Sequence, residues 1–158
     1  MKSGFVSLVG RPNVGKSTLL NAIMGEKIAA VSDKPQTTRN AISGIYTDKN
    51  IQIVFMDTPG IHKPKNKLGE FMAKEIDGAM NSVDAAVLVV DCTEREDFND
   101  DIINNLSSSK MPVFLVLNKI DLVDKDELLK IMSAYSTKMN FTAFVPLSAA
   151  NNDGVDLL

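Results

Sequence analysis

The stretch that decides the fold lies near the amino terminus and reads Gly10-Arg11-Pro12-Asn13-Val14-Gly15-Lys16-Ser17. It matches the pattern G-x-x-x-x-G-K-[ST], follows an apolar run at residues 5–9, and precedes apolar residues at helical spacing over 19–24. Glycines at both ends let the backbone curl so that successive N–H groups face a phosphate, and the helix adds the positive end of its dipole. A strand, this loop and a helix together predict a phosphate-binding loop, with a chance match as the alternative for the pattern alone.

Within this loop two side chains have defined chemistry. Lys16 would reach the β- and γ-phosphates of a nucleotide, and the hydroxyl of Ser17 would ligate Mg²⁺. We count Thr18, the next residue, with the binding residues. The loop therefore predicts a nucleoside triphosphate with Mg²⁺, and Lys16 as a catalytic residue.

Composition restricts the class of protein. The 158 residues are enough for one domain, and 44% hydrophobic with 23% charged residues is typical of a globular protein rather than a disordered one. The net charge of −3 argues against nucleic acid as the ligand of this segment alone, since domains that bind nucleic acid usually carry an excess of basic residues. The single cysteine, Cys92, predicts a reduced structural thiol. No apolar run approaches the ~20 residues of a membrane span, so we expect a cytoplasmic protein.

The hydrophobic pattern alternates between strands and helices along the chain. It predicts strands at 5–9, 42–47, 51–56, 85–90, 113–117 and 143–147, and helices at 15–24, 68–80, 97–109 and from 124 to 139. The turn 48–50 should make the second and third strands an antiparallel hairpin. We therefore predict an α/β fold with a mostly parallel six-stranded sheet, helices on both faces and one antiparallel hairpin at the edge.

The carboxyl end of the chain, residues 154–158, has the pattern of the start of another helix. We expect one domain over 1–158 that is truncated in its last helix. One face of the sheet should then be incompletely covered.

Further polar motifs follow the predicted strands and should lie at the same edge of the sheet as the phosphate loop. Asp57 would hold Mg²⁺ through water, and Gly60 would bring a backbone N–H to the γ-phosphate. The pattern D-x-x-G is weak alone, because an exposed aspartate in a Pro-Gly turn is ordinary. It gains weight only beside the phosphate loop.

The sequence Asn118-Lys119-x-Asp121 indicates the base. A carboxylate accepts two N–H donors from the N1 and N2 edge of guanine, and adenine offers no such pair, so Asp121 favours GTP over ATP. Asn118 would either tie loops together or meet the purine, and the stem of Lys119 would pack over the base. Backbone N–H groups that would contact the guanine oxygen come from Ser148, Ala149 and Ala150.

These motifs resemble the translation-factor-like GTPases and, within them, the Era family of bacterial ribosome-assembly GTPases, over the whole chain. The phosphate loop, residues 10–21, is shared with the double-GTPase Der. More specific to Era are Pro-Gln-Thr-Thr-Arg at 35–39 and Asp-Thr-Pro-Gly-Ile-His-Lys-Pro at 57–64. The resemblance implies a P-loop NTPase of the Ras-like G-domain type that acts as a GTPase.

The resemblance also implies two switches. Thr38, or its neighbour Thr37, would close onto Mg²⁺ and the γ-phosphate in the GTP state, with Gly60 in the second switch. It implies a C-terminal KH domain, missing from this chain, that binds 16S rRNA of the small ribosomal subunit. We expect a monomer, and the resemblance adds peripheral contact of the parent protein with the inner face of the membrane.

One catalytic position departs from the Ras-like pattern. A glutamine that orients the attacking water follows D-x-x-G there, whereas this chain has Ile61, so intrinsic hydrolysis should be slow. The resemblance suggests that Asn13 helps to hold K⁺ where an arginine finger would stand; its alternative is a turn-forming residue after Pro12. Arg39 is a second source of positive charge.

Three alternatives remain from the sequence. The chain could be a binding module whose GTP is structural and turned over negligibly, which Ile61 permits. It could use ATP, against which Asp121 argues. Within the GTPases, it could be a Der-type or tRNA-modification GTPase.

Overall fold

A computed structural model describes residues 2–25, 42–57, 83–94 and 99–158 of the chain. Six strands form one sheet: β1 Lys2–Val9, β2 Ile42–Thr47, β3 Ile51–Asp57, β4 Ala85–Asp91, β5 Val113–Asn118 and β6 Ala143–Pro146. Three α-helices lie within the described ranges: α1 Lys16–Met24, α2 Asp100–Ser107 and α3 Lys125–Ser136. The predicted helix 68–80 and the predicted loop 26–39 lie outside the described residues.

The sheet has the strand order β2-β3-β1-β4-β5-β6. β2 pairs with β3 antiparallel, and all the other pairs are parallel. The Asp48 carboxylate closes the turn of the hairpin by accepting the N–H groups of Asn50 at 2.8 Å and Ile51 at 3.0 Å. The predicted mostly parallel sheet with one antiparallel hairpin at its edge is confirmed.

The central strand β4 is buried on both faces, as its continuous apolar sequence predicts. Leu88 faces a cluster that includes α2 and α3, whereas its neighbours Val87 and Val89 face a second cluster that includes α1. Because successive side chains of a strand point to opposite faces, one strand supplies both halves of the core. The helices therefore lie on both faces of the sheet, which also confirms the prediction.

Local sequence signals explain the helix ends. α3 begins after Asp124, whose carboxylate accepts the backbone N–H of Glu127 at 2.8 Å, the expected capping contact. α1 ends at Gly25, as predicted. The prediction for α2 was too long, since the described helix begins after Asn99, which has the left-handed φ of 56° that helices do not continue through. At its other end, the Ser109 hydroxyl donates to the Leu106 carbonyl at 2.7 Å in place of a further helical turn.

The last residues, where the sequence predicts the start of another helix, form a short 3₁₀ helix, Val155–Leu157. On the same face of the sheet as α1, the described residues leave an apolar groove of about 650 Å³. Its lining includes Ile53, Phe114 and Leu158. The expectation of a domain truncated in its last helix, with one face of the sheet incompletely covered, stays a prediction. In the part of the chain that the structure describes, no helix is long and apolar enough to cross a membrane.

Candidate nucleotide-binding site

The motifs meet at one edge of the sheet because its five parallel strands, β1, β3, β4, β5 and β6, end there. Asp57, the last residue of β3, pairs with Leu8 just before the phosphate loop. At the same edge, Asp91 at the end of β4 lies opposite Asn118 at the end of β5. Ligands of open α/β sheets bind beyond these carboxyl ends. The expected convergence of the phosphate loop and the Asn118 motif is therefore present.

The phosphate loop packs so closely on the sheet that two positions admit only glycine. A Cβ on Gly10 would lie 2.6 Å from the carbonyl oxygen of Val89. A Cβ on Gly15 would overlap the side-chain nitrogen of Asn118, and Gly15 has a φ of 101° that other residues rarely adopt. The two glycines thus hold the loop against the ends of β4 and β5.

The loop leads directly into the amino terminus of α1. Among the described residues, no side chain caps this terminus, so the first N–H groups of the helix have the arrangement that anions bind in other proteins. The ammonium group of Lys16 lies over the loop, where it donates to the carbonyl oxygen of Gly10 at 2.8 Å. Ser17 and Thr18 follow in the first turn, both half-buried. This is the positive, donor-rich cradle that a triphosphate needs.

The buried side chain of Asn118 joins three segments. Its Nδ2 donates to the Val14 carbonyl at 2.8 Å, and its Oδ1 accepts the N–H of Lys119 at 2.9 Å and of Ala149 at 3.0 Å. Asn118 is 3% exposed. Of the two roles that the sequence left open, the structure shows the first, a tie between the phosphate loop, the β5 end and the loop after β6.

The loop after β6 has its own internal hydrogen bonds. Ser148 exchanges backbone hydrogen bonds with Asp153, its N–H donating at 2.8 Å, and the N–H of Ala149 donates to Asn118. Ser148 and Ala149 are buried, and Ala150 is exposed. The loop therefore lies beside Asn118, and its contact with a guanine oxygen stays a prediction.

Lys119 makes a second connection across the site. Its Nζ donates to the Asn13 carbonyl at 3.1 Å and to Oδ2 of Asp91 at 2.7 Å. Burial would raise the pKa of Asp91, but hydrogen bonds from Lys119 and Thr93 outweigh it and hold that pKa below its ordinary value. Our sequence reasoning missed Asp91. The signal was available, since it is an acidic residue directly after a buried strand, like Asp57.

A third network anchors the other side of the phosphate loop. The Nε of Arg11 donates to Oδ1 of Asn99 at 2.8 Å, and Nδ2 of Asn99 donates to the hydroxyl of Tyr135 at 2.9 Å. Asn99 is buried before α2 and Tyr135 is buried in α3. Nothing in the spacing of these residues along the chain indicates the network, which only the packing of the two helices creates.

The remaining loop residues face solvent. Pro12 and Asn13 are exposed, and Asn13 has a φ of 67°, which is typical of a turn-forming residue. A role of its side chain in holding K⁺ stays a prediction. Asp121 is exposed in the 3₁₀ turn Ile120–Leu122, two residues beyond Lys119. Within the described ranges, no protein group forms an ion pair or hydrogen bond with its carboxylate, which leaves both oxygens accessible to a ligand.

Several predicted site residues fall elsewhere. Thr37, Thr38 and Gly60 lie outside the described residues, as does Ile61. For Asp57 the structure gives the backbone position at the site edge. Their assigned roles stay predictions.

Comparison with known proteins identifies the family to which the chain belongs. A protein family described as "50S ribosome-binding GTPase" matches residues 5–119, which is most of the chain. The chain therefore belongs to this family of phosphate-loop GTPases. Its similar relatives include GTPase Era of Ruminiclostridium cellulolyticum, 54% identical over 158 residues, and GTPase Era of Clostridioides difficile, 57% identical over 159 residues. The alignments cover 99% of this chain and 53% and 54% of those proteins, so the chain spans about half of their length.

A solved structure agrees with these relatives. The crystal structure of Era in complex with MgGDPNP and nucleotides 1506–1542 of 16S ribosomal RNA has a TM-score of 0.85 and 36% sequence identity. The match covers 99% of this chain and 54% of that one. In both fold and sequence, the chain is therefore similar to about half of the length of Era.

Proposed function

We propose that this chain is a GTP-dependent switch that binds GTP with Mg²⁺ and slowly hydrolyses it to GDP and phosphate. One observation carries the proposal: Asn118 and Lys119 bond directly to the phosphate loop, through the carbonyls of Val14 and Asn13. The turn that bears Asp121 is therefore held beside the phosphate cradle. A ligand that fits both must carry phosphates at one end and a hydrogen-bonding base at the other.

Selection of the base follows from the exposed carboxylate of Asp121. It would accept the two N–H groups of guanine, which adenine does not present. Xanthine has a carbonyl where guanine has its amino group, so an amide at this position should donate to it. We expect Asp121→Asn to weaken GTP binding and to strengthen binding of the xanthosine nucleotide.

The test is a competition of GTP, ATP and xanthosine triphosphate against fluorescent GDP. Asp126→Asn is a matched control, because Asp126 is also exposed and lies in the first turn of the next helix. An unchanged base preference in Asp121→Asn would contradict the assignment of the base. A preference for ATP in the unmodified protein would contradict the proposed function itself.

The residues present fit Mg²⁺ and a triphosphate. The uncapped start of α1 and the ammonium of Lys16 suit phosphate oxygens, and the hydroxyl of Ser17 is a hard oxygen ligand of the kind that Mg²⁺ prefers. Thr38, with Thr37 as the alternative, and Asp57 would complete the metal ligands, and Gly60 would donate its N–H to the γ-phosphate. Bound Mg²⁺ would neutralise charge on the phosphates.

Hydrolysis is proposed to be slow because Ile61 has no group that can orient water. We propose that the Asn13 side chain helps to hold K⁺, which would add the missing positive charge. Single-turnover hydrolysis should then be faster in K⁺ than in Na⁺ buffer, and Asn13→Ala should remove that difference while GDP binding persists. Equal rates in both buffers would remove K⁺ from the proposal, and no turnover in either would indicate a binding module with a structural nucleotide.

For the whole protein, we propose coupling to the small ribosomal subunit. The family description mentions the 50S subunit, whereas the Era structure of 36% identity contains 16S ribosomal RNA, and the second relation is the more specific. This chain has a net charge of −3, so the RNA contact is assigned to a KH domain beyond it. We further propose a cytoplasmic monomer with peripheral membrane contact.

The longer protein that contains this chain provides the test. It should bind an RNA of the 3′ end of 16S rRNA more tightly with a non-hydrolysable GTP analogue than with GDP. A 23S rRNA fragment of equal length is the control. Preference for the 23S fragment would contradict the assignment to the small subunit.

A further inference from the structure

We propose that Asp91 is a positioning residue for nucleotide binding, one that acts by holding the Lys119 side chain between the two halves of the site. The inference rests on the proposed function, because it assigns a role within the same nucleotide site. Asp91 itself lies at the end of β4, one strand away from Lys119.

The geometry brings three distant parts of the sequence to one ammonium group. The Nζ of Lys119 lies 2.7 Å from Oδ2 of Asp91 and 3.1 Å from the carbonyl oxygen of Asn13. Asp91 and Asn118 are direct partners in the parallel pairing of β4 and β5, so the register of the sheet sets this distance. One lysine thus connects the end of β4, the end of β5 and the phosphate loop.

The Asp91 carboxylate is held in place by hydrogen bonds that do not involve Lys119. The other carboxylate oxygen of Asp91, Oδ1, accepts the backbone N–H of Thr93 at 2.8 Å and its hydroxyl at 2.6 Å. The Asp91 side chain is 6% exposed and that of Lys119 is 33% exposed. Exposed ion pairs contribute little to stability, because water screens the charges and both side chains lose conformational freedom. The Asp91 carboxylate is buried and already oriented by Thr93, so screening is weaker and only Lys119 loses freedom when the pair forms.

Fixing Lys119 also fixes the residues that follow it. Lys119 has a left-handed φ of 66° and directly precedes the 3₁₀ turn that carries Asp121. Because the Lys119 ammonium is bonded to Asp91 and to the Asn13 carbonyl, the side chain restrains the Lys119 backbone in this left-handed conformation. Loss of the Asp91 carboxylate should therefore make the turn Ile120–Leu122, which carries the proposed base-binding residue Asp121, less ordered. Asp91 itself would not contact the base.

The experiment measures the dissociation of fluorescent GDP and of a fluorescent GTP analogue from Asp91→Asn, by chase with unlabelled nucleotide. We expect both nucleotides to leave roughly tenfold faster, a difference of about 1.4 kcal/mol. The matched control is Asp84→Asn, since Asp84 stands just before β4 at the opposite edge of the sheet, where it accepts the N–H of Phe5 at 2.8 Å. The proposal is wrong if both variants change the rate equally.

A double-mutant cycle separates positioning from general structure. If Asp91 acts through Lys119, Asp91→Asn should add little to the dissociation rate in a Lys119→Met background. Independent effects that multiply would overturn the proposal.

One measurement is independent of nucleotide. Amide hydrogen exchange in residues 118–122 of the nucleotide-free protein should be faster in Asp91→Asn than in Asp84→Asn. If the unmodified protein binds no guanine nucleotide, the proposed function fails while this exchange difference still decides whether Asp91 holds Lys119. Equal exchange in the two variants would overturn the role of Asp91 even if GTP binds.

Discussion

Replacement of Asn118 by alanine removes a buried amide whose three hydrogen bonds join the phosphate loop to the loops after β5 and β6. The bonds to Val14, Lys119 and Ala149 are 2.8, 2.9 and 3.0 Å long. Val14 is 2% exposed and Ala149 is 4% exposed, so water reaches the freed partners poorly. The substitution should therefore lower both the free energy of unfolding and the affinity for nucleotide.

The magnitude follows from the number of bonds. At roughly 1 kcal/mol net for each hydrogen bond, the three sum to about 3 kcal/mol. The Val14 carbonyl and the Ala149 N–H lose their partner without gaining a hydrogen bond to water, which adds a further cost. We therefore expect the free energy of unfolding to fall by about 3–5 kcal/mol, with about 3 kcal/mol as the lower bound. For a domain of this size, about 3 kcal/mol corresponds to a fall of roughly 6–12 °C in melting temperature.

The assay is urea unfolding of the nucleotide-free protein, followed by titration with fluorescent GDP. Asn105→Ala is the matched control, because Asn105 lies exposed on α2 and its loss should change the free energy of unfolding by less than about 0.5 kcal/mol. We expect Asn118→Ala to bind GDP at least about tenfold more weakly, since the two halves of the site are no longer joined. A loss of stability no larger than that of Asn105→Ala would refute the reasoning.

Two further outcomes test the packing of the site and core. Gly15→Ala should weaken GDP binding at least about tenfold by calorimetry, because the new Cβ overlaps the Asn118 amide and φ is 101°; affinity equal to that of the unmodified protein would contradict the close packing. Burial, and then the nearby charge of Asp91, raises the pKa of Cys92 to about 12, so a thiol reagent at pH 8 should react only after unfolding in urea. The folded pKa lies above the ordinary 9.0, so the stability that Cys92 adds is present below pH 9 and is lost as the pH rises towards 12. Rapid labelling of the folded protein would show that Cys92 is not buried.

Much of the fold could be read from the sequence because its signals are local. The apolar run at 85–90 predicts a strand covered on both faces, and β4 is such a strand. Asp124 and Glu127 predict the start of α3 correctly, since a cap depends on residues three apart. The start of α2 was missed because it depends on a left-handed backbone at Asn99, whose side chain bonds to Arg11 and Tyr135 far away in the chain.

By itself, the sequence determined the mostly parallel sheet and the position of the phosphate loop between β1 and α1, because both follow from hydrophobic period and a short motif. It also predicts that Asp121 selects guanine, since that chemistry depends only on residue type. Only the tertiary structure decided that Asn118 ties loops together and that Lys119 pairs with Asp91. Both contacts join residues from different strand ends, 104 positions apart in one case and 28 in the other. Their formation depends on parallel strands ending at one edge in a fixed register, which no local pattern contains.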